Sequence, residues 1–154
     1  MSSVEQKIKD LGLTLPETSK PLAAYIPAVQ TGNLVFTSGQ LPMVDGKLSV
    51  TGKVGAEVSV EQAKALAEVC ALNALAAIKM VIGDLDKIKR VVKVVGFVAS
   101  APDFSSQPAV VNGASELLGA VLGDKGIHAR SALGVAVLPL DAPVEVELIV
   151  EISQ

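Results

Sequence analysis

Between Ser59 and Gly83 the apolar residues Ala63, Leu66, Ala67, Cys70, Ala74, Ala77, Ile78 and Val81 recur with a 3.6-residue period, which predicts one long helix. Ser59, with Gln62 three residues on, forms a capping box at its start, and Gly83 ends it. Val69, Leu72, Leu75 and Ala76 occupy the other side, so Glu61, Lys64 and Glu68 leave only a narrow polar stripe. Such a helix needs cover on more than one side. A second helical pattern runs from about 107 to 122 and contains Asn112 and Gly113. A shorter one, SVEQKIKDLGL, takes Ser3 as N-cap with Gln6 three residues later. The breaker-rich TLPETSKPLA follows, so this is an appended helix and a tether.

The remaining segments read as strands. YIPAVQTGNLVF, from Tyr25 to Phe36, places a Thr-Gly-Asn turn between extended runs, and QLPMVDGKLSV centres a further hairpin on Asp45-Gly46. RVVKVVGFVAS, residues 90–100, is β-branched with too little alternation for a half-solvated strand. Two terminal strands follow near 130–138 and 144–152, joined by PLDAP. The order α-βββ-α-β-α-ββ predicts an α+β fold: a mixed sheet with two helices on one face. Two helices leave the other face of the sheet bare, which the apolar central strand does not tolerate. A homo-oligomer that packs the bare faces together, in closed cyclic symmetry, is the simplest repair.

Composition narrows the chemistry. The 154 residues suit one domain, half of them hydrophobic and 19% charged, with a formal net charge of -3. Apart from KIKRVVK the basic residues are scattered, and the four aromatics Tyr25, Phe36, Phe97 and Phe104 lie far apart. Both features argue against a nucleic-acid surface. No uncharged apolar run approaches the roughly 18 residues of a membrane span, and the amino terminus lacks a basic-then-apolar signal design, so the chain reads as cytosolic. One cysteine excludes an internal disulfide framework, and with one histidine it cannot populate an ordinary zinc site. Carboxylate-only metal sites stay open.

The candidate groups begin with Arg130, in GIHARSALGV, at the threshold of an apolar strand. A guanidinium there needs an anion, either a bound carboxylate or phosphate, or a structural partner among Glu145, Glu147 and Glu151. In PVEVELIVEIS those three glutamates share one strand face while Val144, Val146, Leu148, Val150 and Ile152 line the other. Two carboxylates two residues apart repel, which suits one of them to act as a base or to position water. With the last two strands as a tight hairpin, Arg130 falls near residue 151, about 20 Å along the strand from Glu145, so a site between subunits brings them together more easily. TSGQ, residues 37–40, can present backbone N–H groups of Ser38 and Gly39 to a small anion. Tyr25 and Asn112 can each donate and accept. His128 has no triad partner in recognisable order and reads as a structural or rim residue, and Cys70 as a buried thiol.

AAYIPAVQTGNLVFTSGQLP, VVKVVGFVASAPDF, VVNGASELL and HARSALGVAVLPLDAPVEVELIVEI, in this order and spacing, resemble the YjgF/YER057c/UK114 proteins, the Rid or endoribonuclease L-PSP family. The resemblance covers about Leu22 to Ile152, leaving residues 1–16 as a helical extension to a 22–152 core. It implies a chorismate-mutase-like fold and a homotrimer with sites between subunits. It also implies hydrolysis of 2-aminoacrylate and 2-iminopropanoate-type intermediates to 2-oxo acids and ammonia without a cofactor. By that resemblance Arg130 holds the substrate carboxylate and Glu145, with a backbone carbonyl, the attacking water; Tyr25, Ser38 and Asn112 match further site positions. Ala132 stands where many members have cysteine, so only a backbone role survives there. The region around TGKVGAEVSVEQ is also longer, which marks a distinct subgroup and leaves its substrate open. Two other readings stand beside the deaminase: an endoribonuclease or translation inhibitor, and a non-catalytic trimer that binds a small carboxylate.

Overall fold

The computed structural model describes residues 1–18 and 24–154. The expected tether falls partly on residues 19–23 and to that extent lies outside the described residues. Helix α1 (Ser3–Asp10) is followed by β1 (Ala28–Thr31), β2 (Leu34–Thr37), α2 (Val60–Ile82), β3 (Ile88–Ala99), α3 (Gln107–Leu122), β4 (Ala129–Val135) and β5 (Val144–Ile152). The strands form one mixed sheet in the order β1-β2-β5-β3-β4, antiparallel except for the parallel pair β3 and β4. Helices α2 and α3 pack on one face, as the α+β reading expects.

Local chemistry explains most boundaries. The Ser59–Gln62 capping box opens α2 and Gly83, at φ 80°, closes it. Although α2 is long and apolar enough to cross a membrane, here it is the central core helix, burying Cys70, Leu72, Leu75 and Ile78 among others. Gly113 lets α3 close on it, because a Cβ there would overlap the Lys64 carbonyl. That contact fixes where Asn112 and its helical neighbours stand above the sheet.

Three expectations are corrected. The Asp45-Gly46 hairpin is only a turn: both residues take left-handed conformations and Val44 bridges Lys47, but no strand extends from it. Pro42 has no backbone N–H to give a ladder, and only the exposed tip from Val44 to Lys47 is paired, while Leu41 and Leu48 pack their side chains on Ala99, Leu138 and Ala142 instead of on each other's strand. The cap of α1 is Ser2 with Glu5, one residue earlier than the Ser3–Gln6 reading. The last two strands are not a hairpin, because β3 lies between them. The connection carries two prolines and consecutive left-handed residues, Leu140 at φ 58° and Asp141 at φ 57°, in a short 3-10 turn rather than a two-residue reversal.

Helix α1 is fastened at its start. Asp86, in the turn before β3, accepts hydrogen bonds from the Ser3 N–H (2.8 Å), the Val4 N–H (3.0 Å) and the Ser3 hydroxyl (2.9 Å). Val4 and Ile8 are buried beneath it, and Glu5 pairs with Lys79. The Ser3 and Val4 amides hold the Asp86 carboxyl below its ordinary range. Its contribution to stability is therefore present above the unfolded aspartate pKa and lost as pH falls through the lower folded value. Replacing Asp86 with Ala should cost about 1 kcal/mol, since exposure screens the charge. It should also speed amide exchange in residues 3–8 while leaving α2 protected; unchanged exchange in α1 would count against this anchoring.

Candidate functional site

β5 places Val144, Val146, Leu148, Val150 and Ile152 under the helices and Glu145, Glu147, Ile149 and Glu151 on the open face. Phe97, paired with Glu145, and Val95, paired with Glu147, are half-buried neighbours on that open face, and Leu133 of β4 lies beside Phe97. Glu145 and Glu147 thus stand among apolar side chains. Glu145 lies over the backbone of Gly39, where any Cβ would overlap its carboxylate. Burial first, and the Glu147 charge second, raise the Glu145 pKa above the ordinary glutamate range. A carboxyl so placed can exchange a proton with a neighbouring water nearer neutrality than a solvated one.

Ser38 and Gly39 follow the end of β2, beside Glu145. The Ser38 hydroxyl donates to the Ile26 carbonyl (2.6 Å) and its N–H to that of Pro27 (2.7 Å), which pins the segment carrying Tyr25. Tyr25 itself is 61% exposed. The expectation that this loop offers its N–H groups to an anion is corrected in part. Those of Ser38 and Gln40 are already bonded, the latter to Val146. Thr37 is engaged as well, its hydroxyl accepting from the Leu148 N–H (2.9 Å) where the β2–β5 ladder is interrupted.

Arg130 belongs to a different cluster. It is level with Val94 of β3 and Leu148 of β5, both buried under the helices, and its side chain reaches α3. Nη1 donates to Asn112 Oδ1 (2.7 Å) and to Ser115 Oγ (3.2 Å). The three glutamates of β5 are not its partners: Glu145, Glu147 and Glu151 face the other side of the sheet, and Glu151 receives Lys89 and Asn33. Both acceptors of Arg130 are neutral, so the guanidinium is oriented without being neutralised. Ala132, two residues on, shares this face and packs against the core.

The arrangement corrects the hairpin geometry. Arg130 and Glu145 lie three register steps and two strand positions apart, about 14 Å between Cα atoms by strand spacing. They also face opposite sides of the sheet. One cluster gathers Tyr25, Ser38, Gly39 and Glu145; the other gathers Asn112, Ser115, His128, Arg130 and Ala132.

Ser115 was missed by the sequence reading, although it is three residues after Asn112 and so on the same helical face. Its Oγ lies 2.9 Å from His128 Nε2, and Gly126 O lies 2.6 Å from Nδ1. A serine beside an imidazole suggests a nucleophile, but Ser115 is mid-helix, where the backbone N–H groups are spent on the helix and none can stabilise an oxyanion. Cys70 is fully buried; desolvation, then the Glu145 charge, push its thiol up, which keeps it inert.

Residues 5–152 match the model of the family described as "YjgF/chorismate_mutase-like, putative endoribonuclease". The chain belongs to the YjgF family. Among its relatives, protein TCP17 of Trypanosoma cruzi is 42% identical over 97% of this chain and 94% of its own. The 2-iminobutanoate/2-iminopropanoate deaminase of Escherichia coli K12 is 34% identical over 83% of this chain and 87% of its own. A crystal structure of the protein Atu1372 from Agrobacterium tumefaciens, of unknown function, superposes with a TM-score of 0.93 at 51% identity, covering 98% of this chain and 93% of that one. So high a coverage extends into α1.

The raised Glu145 pKa has a thermodynamic consequence. The folded chain binds the carboxyl proton more tightly than the unfolded chain. The stabilisation is complete below the unfolded glutamate pKa and is lost as pH rises through the raised value. Glu145→Gln is therefore expected to be more stable than the parent at pH 7, with the gap closing in acid. Urea melts across that range would contradict this if the variant were the less stable at pH 7.

Proposed function

We propose that this chain is an enamine/imine deaminase that hydrolyses small 2-imino acids to 2-oxo acids and ammonia, at sites assembled between copies in a cyclic homotrimer. The observation that carries the reading is the separation of a guanidinium held by neutral groups and a half-buried carboxylate of raised pKa onto opposite faces of one sheet. A three- or four-carbon imino acid cannot span them within one chain. A neighbour that lays its β4 edge and α3 over the open face brings Arg130 to Glu145, and it covers Phe97, Val95 and Leu133 at the same time. The E. coli relative, named for deamination of 2-iminobutanoate and 2-iminopropanoate, supports the substrate class.

In this reading Arg130 pairs with the substrate carboxylate and Asn112 holds the guanidinium in place. Glu145 takes a proton as water adds to the imine carbon and returns one to nitrogen, whose bond to carbon breaks as ammonia leaves and the carbonyl forms. Imine and water become oxo acid and ammonia, with atoms and charge in balance and no redox change. Tyr25, exposed beside Ser38, would border the substrate from the Glu145 side. An RNA-cleaving reading is less well supported, because both nitrogens of the single imidazole are engaged by Ser115 and Gly126.

Arg130→Ala should lower kcat/KM for 2-iminopropanoate generated in situ by about a hundredfold or more, as expected when a charged pair to substrate is lost. Glu145→Gln should still bind 2-oxobutanoate but not turn over imino acid; a wild-type protein that binds without turnover would instead mark a pure binding trimer. Co-expressing Arg130→Ala with Glu145→Gln should return activity in about a quarter of the sites of a randomly mixed ring. No recovery in mixed trimers would show that one chain supplies both residues.

A further inference from the structure

Around Arg130 the hydrogen bonds run in one direction. The Gly126 carbonyl, 2.6 Å from His128 Nδ1, can only accept, so Nδ1 carries the hydrogen. A neutral ring with its hydrogen on Nδ1 leaves Nε2 as a lone pair, to which the Ser115 hydroxyl 2.9 Å away donates. With its hydrogen committed, Ser115 Oγ turns a lone pair to Arg130 Nη1. Packing fixes the origin of this chain of bonds. Gly126 is buried so tightly against α3 that a Cβ would overlap the Leu118 carbonyl. Thus α3 sets the Gly126 carbonyl, the carbonyl sets the tautomer, the tautomer sets the hydroxyl, and the hydroxyl steadies the guanidinium.

We propose that Ser115 and His128 are positioning residues for Arg130, a relay that holds the guanidinium ready for a substrate carboxylate. The proposal rests on the reading of Arg130 as the carboxylate clamp. A nearby glutamate could orient the same side chain, but it would also compete with the substrate for its charge. Serine and histidine orient it without bringing a competing negative charge. The relay removes rotamer freedom that substrate binding would otherwise have to freeze, so its loss raises KM more than it lowers kcat.

The sequence provides a direct probe, since it contains one histidine and only two arginines, Arg90 and Arg130. In the 15N-labelled full-length protein the imidazole should be in the Nδ1–H form. Ser115→Ala should shift the imidazole nitrogens and the Arg130 Nη signals while leaving those of Arg90 in place. KM for 2-iminobutanoate should rise about fivefold in Ser115→Ala and in His128→Phe with kcat little changed, the scale of one lost hydrogen bond. Ser115→Thr, which keeps the hydroxyl, should restore it. An Nε2–H tautomer in the parent protein, or Arg130 signals unmoved in both disruptive variants, overturns the relay. A parent protein inactive on imino acids but showing the Nδ1–H form and coupled Arg130 signals supports the relay and removes the deaminase reading instead.

Discussion

The period of two in β5 is the constraint on which the site depends. Five aliphatic side chains from Val144 to Ile152 point into the core, so the residues between them are held on the opposite face with no freedom to slip. A shift of one position would bury three glutamates and expose the valines. Because β5 lies between β2 and β3, this register also decides what surrounds Glu145: Gly39 beyond one edge and Phe97 beyond the other. The carboxylate owes its altered proton affinity to that placement and needs no dedicated loop.

Arg130 is built in a different way. β4 is an edge strand, and what orders the Arg130 side chain is its hydrogen bonding to α3 above. The position of α3 depends in turn on close contact with α2 at Gly113. One residue is placed by sheet register and the other by helix packing. The two systems are joined through β3 and the shared core, yet each cluster is ordered by its own contacts.

Much of this was legible in the sequence where local chemistry and burial agreed. The Ser59–Gln62 box, Gly83 and the alternation of β5 all predicted elements that the fold contains. The Asp45-Gly46 dipeptide made its turn but no hairpin, because a turn signal fixes two residues and says nothing of what their neighbours can bury. Strand order was harder still. Adjacent strands in the sequence usually pair, yet the hydrophobic β3 takes an interior place between β5 and β4, hydrogen-bonded on both edges. That single insertion moved Arg130 to the helix side of the sheet. Ser115 carried no signal by itself, since its significance depends on His128 arriving from beyond the end of α3.

The outer edge of β4 has a consequence for the health of the protein in solution. β4 ends the strand order, so one row of its backbone N–H and C=O groups has no partner in the sheet. Its seven residues do little to deter pairing with another strand: they carry one charge, no proline and an exposed Leu133. An edge of this kind is a template for indiscriminate strand addition unless something covers it. Selection acting on residues around β4 therefore answers to solubility as well as to chemistry, and a substitution there can remove protein by aggregation before any effect on turnover could be seen.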